Sequence, residues 1–264
     1  SIHAGALDED ELAEKIKDVS VLGIRSKTQL TKKVLKNANR LIGVGAFCIG
    51  TNQIDLDECL RKGIAVFNAP FSNTRSVVEL AIGEIILLMR GLPDRIIEMH
   101  QGIWNKSANG SYEIRGKKLG IIGYGNIGAQ LSVVAEAIGF DVYYYDLMEK
   151  LALGNATKCK SLEELLKTAD IISLHVDGRK ENQDFIGDKE FKLMKDGVIF
   201  LNLSRGHVVD IPALRKYIES GKVKGAGVDV FPKEPKTNED SFESELRGLP
   251  NLIMIPHIGG STQE

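Results

Sequence analysis

The chain has 264 residues, of which 43% are hydrophobic and 27% are charged, a composition that excludes disorder over most of the length. Lys and Arg together number 34 and Asp and Glu number 36, so the net charge of −2 argues against a nucleic-acid or membrane partner. The length is that of about two domains.

The cysteines and the N-terminus bear on the compartment of the protein. Cys48, Cys59 and Cys159 are odd in number and scattered, which favours free thiols in a reducing cytoplasm over a disulfide framework. The most apolar stretch, 77–89, contains two glutamates and is shorter than the ~20 residues that span a bilayer. Because the N-terminus lacks both a signal-peptide pattern and Met, we expect a cytoplasmic protein whose natural start lies upstream of Ser1.

Short β-branched runs alternate with helical patterns over the first part of the chain, which favours parallel strands joined by crossover helices. The predicted strands are 19–24, 41–44 and 64–66, and the predicted helices are 31–38, with Thr31 as N-cap, and 55–62. A longer helix is predicted over 74–90. Its apolar residues lie on all sides, so it should be buried, and Gly91 and Pro93 should end it.

A second α/β block begins at Lys118. Helical patterns separate most of its predicted strands, which is typical of a parallel, doubly wound sheet covered on both faces. A polar segment over 233–247 is predicted to be a long loop. The predicted strands are 119–122, 142–145, 171–174, 198–201, 226–228 and 252–255.

A glycine-rich turn follows the first strand of this block. Gly123, Gly125 and Gly128 form a G-x-G-x-x-G pattern between an apolar strand and a helix, the setting in which backbone amides bind a pyrophosphate. Asp146 ends the next strand at the offset of the acid that binds an adenosine ribose, and no Arg follows it. NAD is therefore favoured over NADP, with a ligand-free glycine turn as the alternative.

Three residues after later strands narrow the chemistry. Arg205, Glu234 and His257 each follow a strand, and open parallel sheets bind ligands at the carboxyl ends of their strands. Each alone has an ordinary structural explanation, but together they supply the anion clamp, carboxylate and imidazole that hydride transfer from a hydroxy acid requires. His175 is interpreted as structural, and no cluster has the spacing of metal ligands.

These residues together resemble the NAD-dependent D-2-hydroxyacid dehydrogenase family. The segments 45–55, 68–76 and 257–264 are similar to the branch of the family that oxidises 3-phospho-D-glycerate in the first step of serine biosynthesis. The resemblance covers essentially the whole chain. It implies two Rossmann-like lobes, a substrate-binding lobe over 1–72 plus 260–264 and an NAD-binding lobe over 73–259.

The resemblance also implies roles for individual residues. His257 would be the acid/base, Glu234 its partner and Arg205 the ligand of the substrate carboxylate and C2 oxygen. The cofactor-binding residues implied are Gly123, Gly125, Asn126, Ile127, Gly128, Asp146, Leu203, Ser204, Asp229, Gly259 and Gly260. The substrate-binding residues implied are Arg25, Ser26, Gly45, Asn73 and Lys106, the last adding positive charge for a phosphate.

The family's organisation implies further properties. A homodimer or homotetramer is expected, with 93–112 as a dimer arm and Trp104 as either a core residue or an interface anchor. The chain is expected to begin after the family's first strand and helix, to end before the helix that returns to the substrate lobe, and to lack a C-terminal regulatory domain. We therefore expect weak activity from the isolated chain. Asp177 stands where many relatives have Pro, which leaves the local loop geometry open.

Two other functions stay open. One is a different D-2-hydroxyacid dehydrogenase, reducing glyoxylate, hydroxypyruvate, pyruvate or 2-oxoglutarate. The other is an NAD-responsive binding protein that acts as a corepressor, which would have no use for the set of Arg205, Glu234 and His257. Binding of a substrate phosphate would distinguish oxidation of 3-phospho-D-glycerate from the first alternative. Formation of NADH would distinguish an enzyme from the second.

Overall fold

The computed structural model describes residues 2–235 and 237–263. Ser1 and Glu264, at the ends of the predicted substrate-binding lobe, and Lys236, in the predicted loop, lie outside the described residues. The chain divides into two compact units, Ser1–Asn73 and Thr74–Glu264. The segment 260–263 therefore groups with the second unit, whereas the sequence analysis assigned it to the first.

The first unit contains a three-stranded parallel sheet in the order β1-β2-β3. Its core includes Leu30, Val34 and Leu35, all fully buried. One helix, α1, was not predicted from the sequence, although Asp8 caps it by accepting a hydrogen bond from the Glu11 amide at 2.8 Å. The elements are α1 (Glu9–Lys15), β1 (Val21–Ile24), α2 (Lys32–Lys36), β2 (Gly43–Ala46), α3 (Leu56–Lys62) and β3 (Ala65–Asn68).

The second unit contains a seven-stranded parallel sheet in the order β10-β9-β8-β7-β4-β5-β6. The predicted α/β fold with a doubly wound parallel sheet is confirmed. The strands are β4 (Lys118–Ile122), β5 (Asp141–Tyr145), β6 (Thr157–Lys158), β7 (Ile171–Leu174), β8 (Val198–Asn202), β9 (Val223–Val228) and β10 (Leu252–Met254). The helices are α4 (Thr74–Met89), α5 (Leu92–His100), α6 (Asn126–Ala137), α7 (Leu162–Thr168), α8 (Asp188–Leu193) and α9 (Ile211–Glu219).

The central strands are buried on both faces, because alternate side chains enter two different cores. In β8, Ile199 and Leu201 pack with one cluster of buried residues, while Val198 and Phe200 pack with the other. Continuous apolar runs in β7 and β8 follow from this arrangement, since no residue of either strand reaches solvent.

Helix α4 differs from its prediction in two respects. Val78, Ala81, Ile85 and Leu88 are fully buried, but the other face of the helix carries side chains that are about a third exposed, so α4 is not buried on every side. Gly91 adopts a φ of 60° and turns the chain, and Pro93 then lies in the first turn of α5. Proline is tolerated there because its missing N–H would have no helical partner. The pair therefore separates two helices instead of ending helical structure.

Core packing in the second unit should dominate its stability. Leu131 on α6 is fully buried, whereas Leu151 in the loop after β5 is 90% exposed. We expect Leu131→Ala to lower the free energy of unfolding by about 2–5 kcal/mol, through lost burial and the cavity left behind. Leu151→Ala is the matched control and should change it by less than about 0.5 kcal/mol. Denaturant unfolding measures both, and equal effects would contradict this account of the core.

Candidate active site

The strand order of the second unit reverses at β4, which lies between β5 and β7. Such a switch point opens a crevice at the carboxyl ends of the strands, where ligands bind in open parallel sheets. The glycine loop (Gly123–Gly128) follows β4, and Arg205 and His257 follow β8 and β10. The topology therefore brings the predicted site residues of this unit to one edge of the sheet.

The glycine loop leaves no room for side chains at its critical positions. A Cβ atom on Gly128 would lie 2.1 Å from the carbonyl oxygen of Gly123, and Gly123 itself has a φ of 92°. Helix α6 begins at Asn126 directly after Gly125, so the N-terminus of this helix lies at the loop. This close approach of helix and strand, with a helix N-terminus beside it, fits the pyrophosphate of a dinucleotide.

Asp146, the predicted ribose ligand, is fixed at the edge of this loop. One carboxylate oxygen accepts a hydrogen bond from the Tyr124 amide at 2.7 Å, and the other accepts one from the Met148 amide at 2.8 Å. These two bonds hold the Asp146 carboxylate between the glycine loop after β4 and the segment after β5. A negative charge held at this place opposes a 2′-phosphate, in agreement with NAD as the cofactor.

Tyr124, between the first two glycines, was not identified from the sequence. Its ring is buried and stacks on Tyr144 with centroids 3.8 Å apart, and its hydroxyl pairs with Ser132 at 2.6 Å and accepts the amide of Leu153 at 3.1 Å. The aromatic side chain thus ties the glycine loop to α6 and to the segment after β5. A bulky residue beside two glycines was the available signal.

His257 and Glu234 form the central pair of the site. Nδ1 of His257 lies 2.8 Å from a carboxylate oxygen of Glu234, and 48% of the His257 side chain is exposed. The hydrogen bond to Glu234 raises the pKa of His257, with burial opposing it. Burial raises the pKa of Glu234, but the His257 contact and a bond from the Phe231 amide hold it below the usual value overall. The contact with Glu234 therefore stabilises the imidazolium form relative to an isolated histidine.

The backbone at His257 has an uncommon conformation. Its φ is 53°, a left-handed value that histidine adopts more readily than most residues. The His257 amide donates to the carbonyl of Asp229 at 2.8 Å, and the amides of Ile258 and Gly259 donate to the Asp229 carboxylate at 2.7 and 2.9 Å. Asp229, predicted to line the nicotinamide, is buried and holds the segment that carries the imidazole.

Arg205 lies within electrostatic range of the central pair. Its positive charge contributes to lowering the pKa values of both His257 and Glu234. Asn202, at the end of β8, accepts hydrogen bonds from the amide and hydroxyl of Ser204 and donates to the carbonyl of Arg205. Asn202 thereby shapes the turn that presents Arg205. The role of Asn202 was not predicted, although a polar residue at the end of the apolar strand β8 was a signal for it.

The loop after β7 carries the departure from the family at Asp177. Its carboxylate pairs with Arg179 and accepts a bond from Asn182 at 3.1 Å. His175, just before it, is paired through Nε2 with Ser173 at 2.8 Å. Burial lowers the pKa of His175 to about 4, so this imidazole is neutral near pH 7 and less suited than His257 to gain a proton.

The predicted substrate-binding residues lie elsewhere. Arg25 and Ser26 follow β1, and Gly45 lies within β2. Asn73 ends the first unit, and its side-chain oxygen is buried with no hydrogen-bond partner. Lys106 belongs to the second unit, in the segment after α5. Their roles stay predictions.

Within the described residues, no helix is long and apolar enough to cross a membrane, and no group of three or more His, Cys, Asp or Glu could hold a metal ion. The remaining cofactor residues follow the strand ends: Asn126 and Ile127 begin α6, Leu203 and Ser204 follow β8, and Gly259 and Gly260 follow β10.

Comparison with known proteins agrees with this geometry. The sequence model for "D-isomer specific 2-hydroxyacid dehydrogenase, NAD binding domain" matches residues 82–259. The chain belongs to this family. The resemblance seen in the sequence is thus confirmed, as is NAD as the predicted cofactor.

Individual relatives are similar over nearly the whole chain. It is 54% identical over 262 residues to D-3-phosphoglycerate dehydrogenase of Escherichia coli (strain K12), covering 99% of this chain and 64% of that protein. It is 55% identical over 270 residues to D-3-phosphoglycerate dehydrogenase 2 of Saccharomyces cerevisiae, covering 99% and 58%. The chain therefore spans less than two thirds of the length of these relatives.

Solved structures of the family share the fold. The crystal structure of D-lactate dehydrogenase from Aquifex aeolicus, complexed with NAD and lactic acid, matches with a TM-score of 0.84 and 30% identity. The match covers 95% of this chain and 79% of that chain.

Removing the Glu234 carboxylate should lower the pKa of His257. We expect Glu234→Gln to move it from its raised value toward about 6.5 or below, because the largest cause of the increase is lost. In the wild type, the pair stabilises the fold fully below the unfolded pKa of about 6.5, and this contribution is lost as pH rises through the raised folded value.

Titration of the His257 ring protons by NMR measures this change. Glu219→Gln, which alters an exposed glutamate paired with Arg215, is the control and should leave the titration unchanged. An unchanged His257 titration in Glu234→Gln would contradict the assigned cause.

Proposed function

We propose that the protein catalyses NAD-dependent oxidation of 3-phospho-D-glycerate to 3-phosphohydroxypyruvate, the first step of serine biosynthesis. The observation that carries the proposal is the His257–Glu234 pair at 2.8 Å, within the field of Arg205 and in the same unit as the glycine loop. The relatives named D-3-phosphoglycerate dehydrogenase support the choice of substrate.

The pairing of His257 with Glu234 supports Nε2 as the ring nitrogen that exchanges a proton with the substrate. Because Nδ1 of His257 pairs with Glu234, the neutral imidazole carries its proton on Nδ1 and presents an unprotonated Nε2. Nε2 removes the proton of the C2 hydroxyl, and Glu234 stabilises the imidazolium that results. The bound cofactor supplies a nicotinamide that accepts the hydride from C2.

Arg205 supplies the opposing charge. Its guanidinium binds the carboxylate and the C2 oxygen of the substrate, for which two parallel hydrogen bonds are well suited. The same cation limits the increase in the pKa of His257 that Glu234 causes. Glu234 and Arg205 thus act on the imidazole in opposite directions, Glu234 favouring the protonated ring and Arg205 the neutral ring.

The binding roles complete the proposed site. Asn126 and Ile127 contact the pyrophosphate, Asp146 binds the ribose, and the strand ends at 203–204, 229 and 259–260 line the nicotinamide half. The residues proposed to bind the substrate are Arg25, Ser26, Gly45 and Asn73, and Lys106 adds charge for the phosphate. The division of labour is then a substrate-binding unit over 1–73 and an NAD-binding unit over 74–264.

Selectivity for the phosphate tests this substrate against other 2-hydroxy acids. We expect Arg25→Ala and Lys106→Ala each to raise KM for 3-phosphoglycerate about tenfold, the effect of losing one charged hydrogen bond. KM for D-glycerate, which lacks the phosphate, should change less than about twofold. Initial rates of NADH formation, followed by absorbance, measure both values.

Lys36→Ala, at an exposed position in α2, is the control and should leave both KM values unchanged. Equal effects on both substrates would favour another 2-hydroxyacid dehydrogenase. NAD binding without NADH formation from any hydroxy acid would favour an NAD-responsive binding protein.

We also propose a homodimer or homotetramer, formed through the segment 93–112, in a reducing cytoplasm. The support is a group of apolar side chains on and after α5 that are about half exposed or more, with Trp104 at 76%. Trp104 is therefore an interface anchor in this proposal. The buried thiols of Cys59 and Cys159 are unpaired, which suits a reducing compartment. The other members of the group are Ile96, Ile97, Met99 and Ile103.

A charge in this segment should weaken self-association. We expect Ile97→Asp to shift the protein toward monomer by at least about tenfold in dissociation constant, because it places a carboxylate in a desolvated interface. Sedimentation velocity at several concentrations measures the shift. Leu151→Asp, at an exposed position outside the segment, is the control, and identical behaviour of the two variants would contradict the proposed interface.

A further inference from the structure

Glu84 is a buried carboxyl group that the proposed mechanism does not use. It lies in α4 among apolar residues, is 2% exposed, and neither of its side-chain oxygens has a hydrogen-bond partner in the described structure. An ionised carboxylate in such surroundings is very costly, so the group keeps its proton instead. Burial raises the pKa of Glu84 to about 8, and the charge of Asp229 contributes.

The neighbouring strand makes room for this side chain. A Cβ atom on Gly227 would lie 2.4 Å from one carboxyl oxygen of Glu84, so the carboxyl lies against the backbone of β9 at this glycine. Gly227 stands two residues before Asp229. The carboxyl of Glu84 thus lies directly against the strand end that holds the His257 segment.

Glu84 and Asp229 compete for ionisation in the same buried region. Asp229 is the charged group that acts on Glu84. Burial raises the pKa of Asp229 as well, but the amides of Gly259 and Ile258 and the charge of His257 oppose this increase. The Asp229 carboxylate receives the amides of Ile258 and Gly259, whereas the Glu84 carboxyl receives no donor. Since two negative charges in one buried region repel each other and only Asp229 has hydrogen-bond donors, we infer that the proton resides on Glu84 and the charge on Asp229.

We propose that Glu84 is a positioning residue, whose neutral carboxyl group lets Asp229 stay ionised and hold the backbone of Ile258 and Gly259 beside His257. Loss of the Glu84 proton adds a second negative charge behind Asp229, which weakens this hold. The effect on catalysis rests on the proposed function, whereas the coupling between Glu84 and the 257–259 segment does not.

NMR of the isotope-labelled chain tests the coupling directly. In the wild type, we expect one glutamate carboxyl to titrate near pH 8, and the Ile258 and Gly259 amides to shift over the same range. In Glu84→Gln, which keeps the shape and cannot ionise, both titrations should disappear. Glu84→Met is a second neutral variant that should give the same result if the glutamine variant does not fold.

Two controls make the outcome decisive. Glu79→Gln alters an exposed glutamate of the same helix that pairs with Arg75, and should titrate as the wild type does. The His257 ring protons report the imidazole separately. If the amide shifts persist in Glu84→Gln and follow the His257 titration, or if no wild-type glutamate titrates near pH 8, the proposal is overturned.

The pH profile of kcat/KM tests the consequence for catalysis. Above about pH 8, the wild-type rate should fall by as much as about tenfold per pH unit, while Glu84→Gln should keep its rate. Identical profiles in the two proteins would overturn the positioning role. Coupled NMR titrations in a protein that forms no NADH would instead uphold the coupling and refute the proposed function.

Discussion

The carboxylate of Asp229 joins the sheet to the segment that carries the imidazole. Its two oxygens accept hydrogen bonds from the amides of Ile258 and Gly259, and the backbone carbonyl of Asp229 accepts one from the amide of His257. One residue directly after β9 therefore fixes three successive amides. These three hydrogen bonds hold the backbone of His257 in its left-handed conformation. The position of the ring relative to Glu234 depends on this anchorage.

The charges of the site are balanced by groups of different origin. Glu234 raises the pKa of the imidazole and Arg205 opposes it, while burial acts on both members of the pair. Arg205 is presented by a turn that Asn202 shapes, and Glu234 by a loop whose Phe231 amide donates to it. Arg205 and Glu234 are therefore held in place by hydrogen bonds that involve backbone groups and a polar side chain of their own loops.

The sequence predicted most of the strands and the edge at which the site forms. The mostly apolar runs over 171–174 and 198–201 could be recognised as strands because both faces of β7 and β8 are buried. Parallel pairing then brings the carboxyl ends of these strands to the same edge of the sheet. Helix α1 was missed because its pattern is mostly charged. The role of Asp229 was also missed, since a linear pattern does not show that its oxygens face the backbone of residues about thirty positions away.

The His257–Glu234 pair and Arg205 all belong to the second unit, together with the glycine loop. The groups to which we assign proton transfer and cofactor binding thus all follow strands of one seven-stranded sheet, whose register is fixed by parallel pairing and by two packed faces. Sequence changes confined to the first unit leave the residues of this sheet and their hydrogen bonds unaltered. A fold in which one unit carries this whole set of residues allows related proteins to keep the same reaction while their substrates differ.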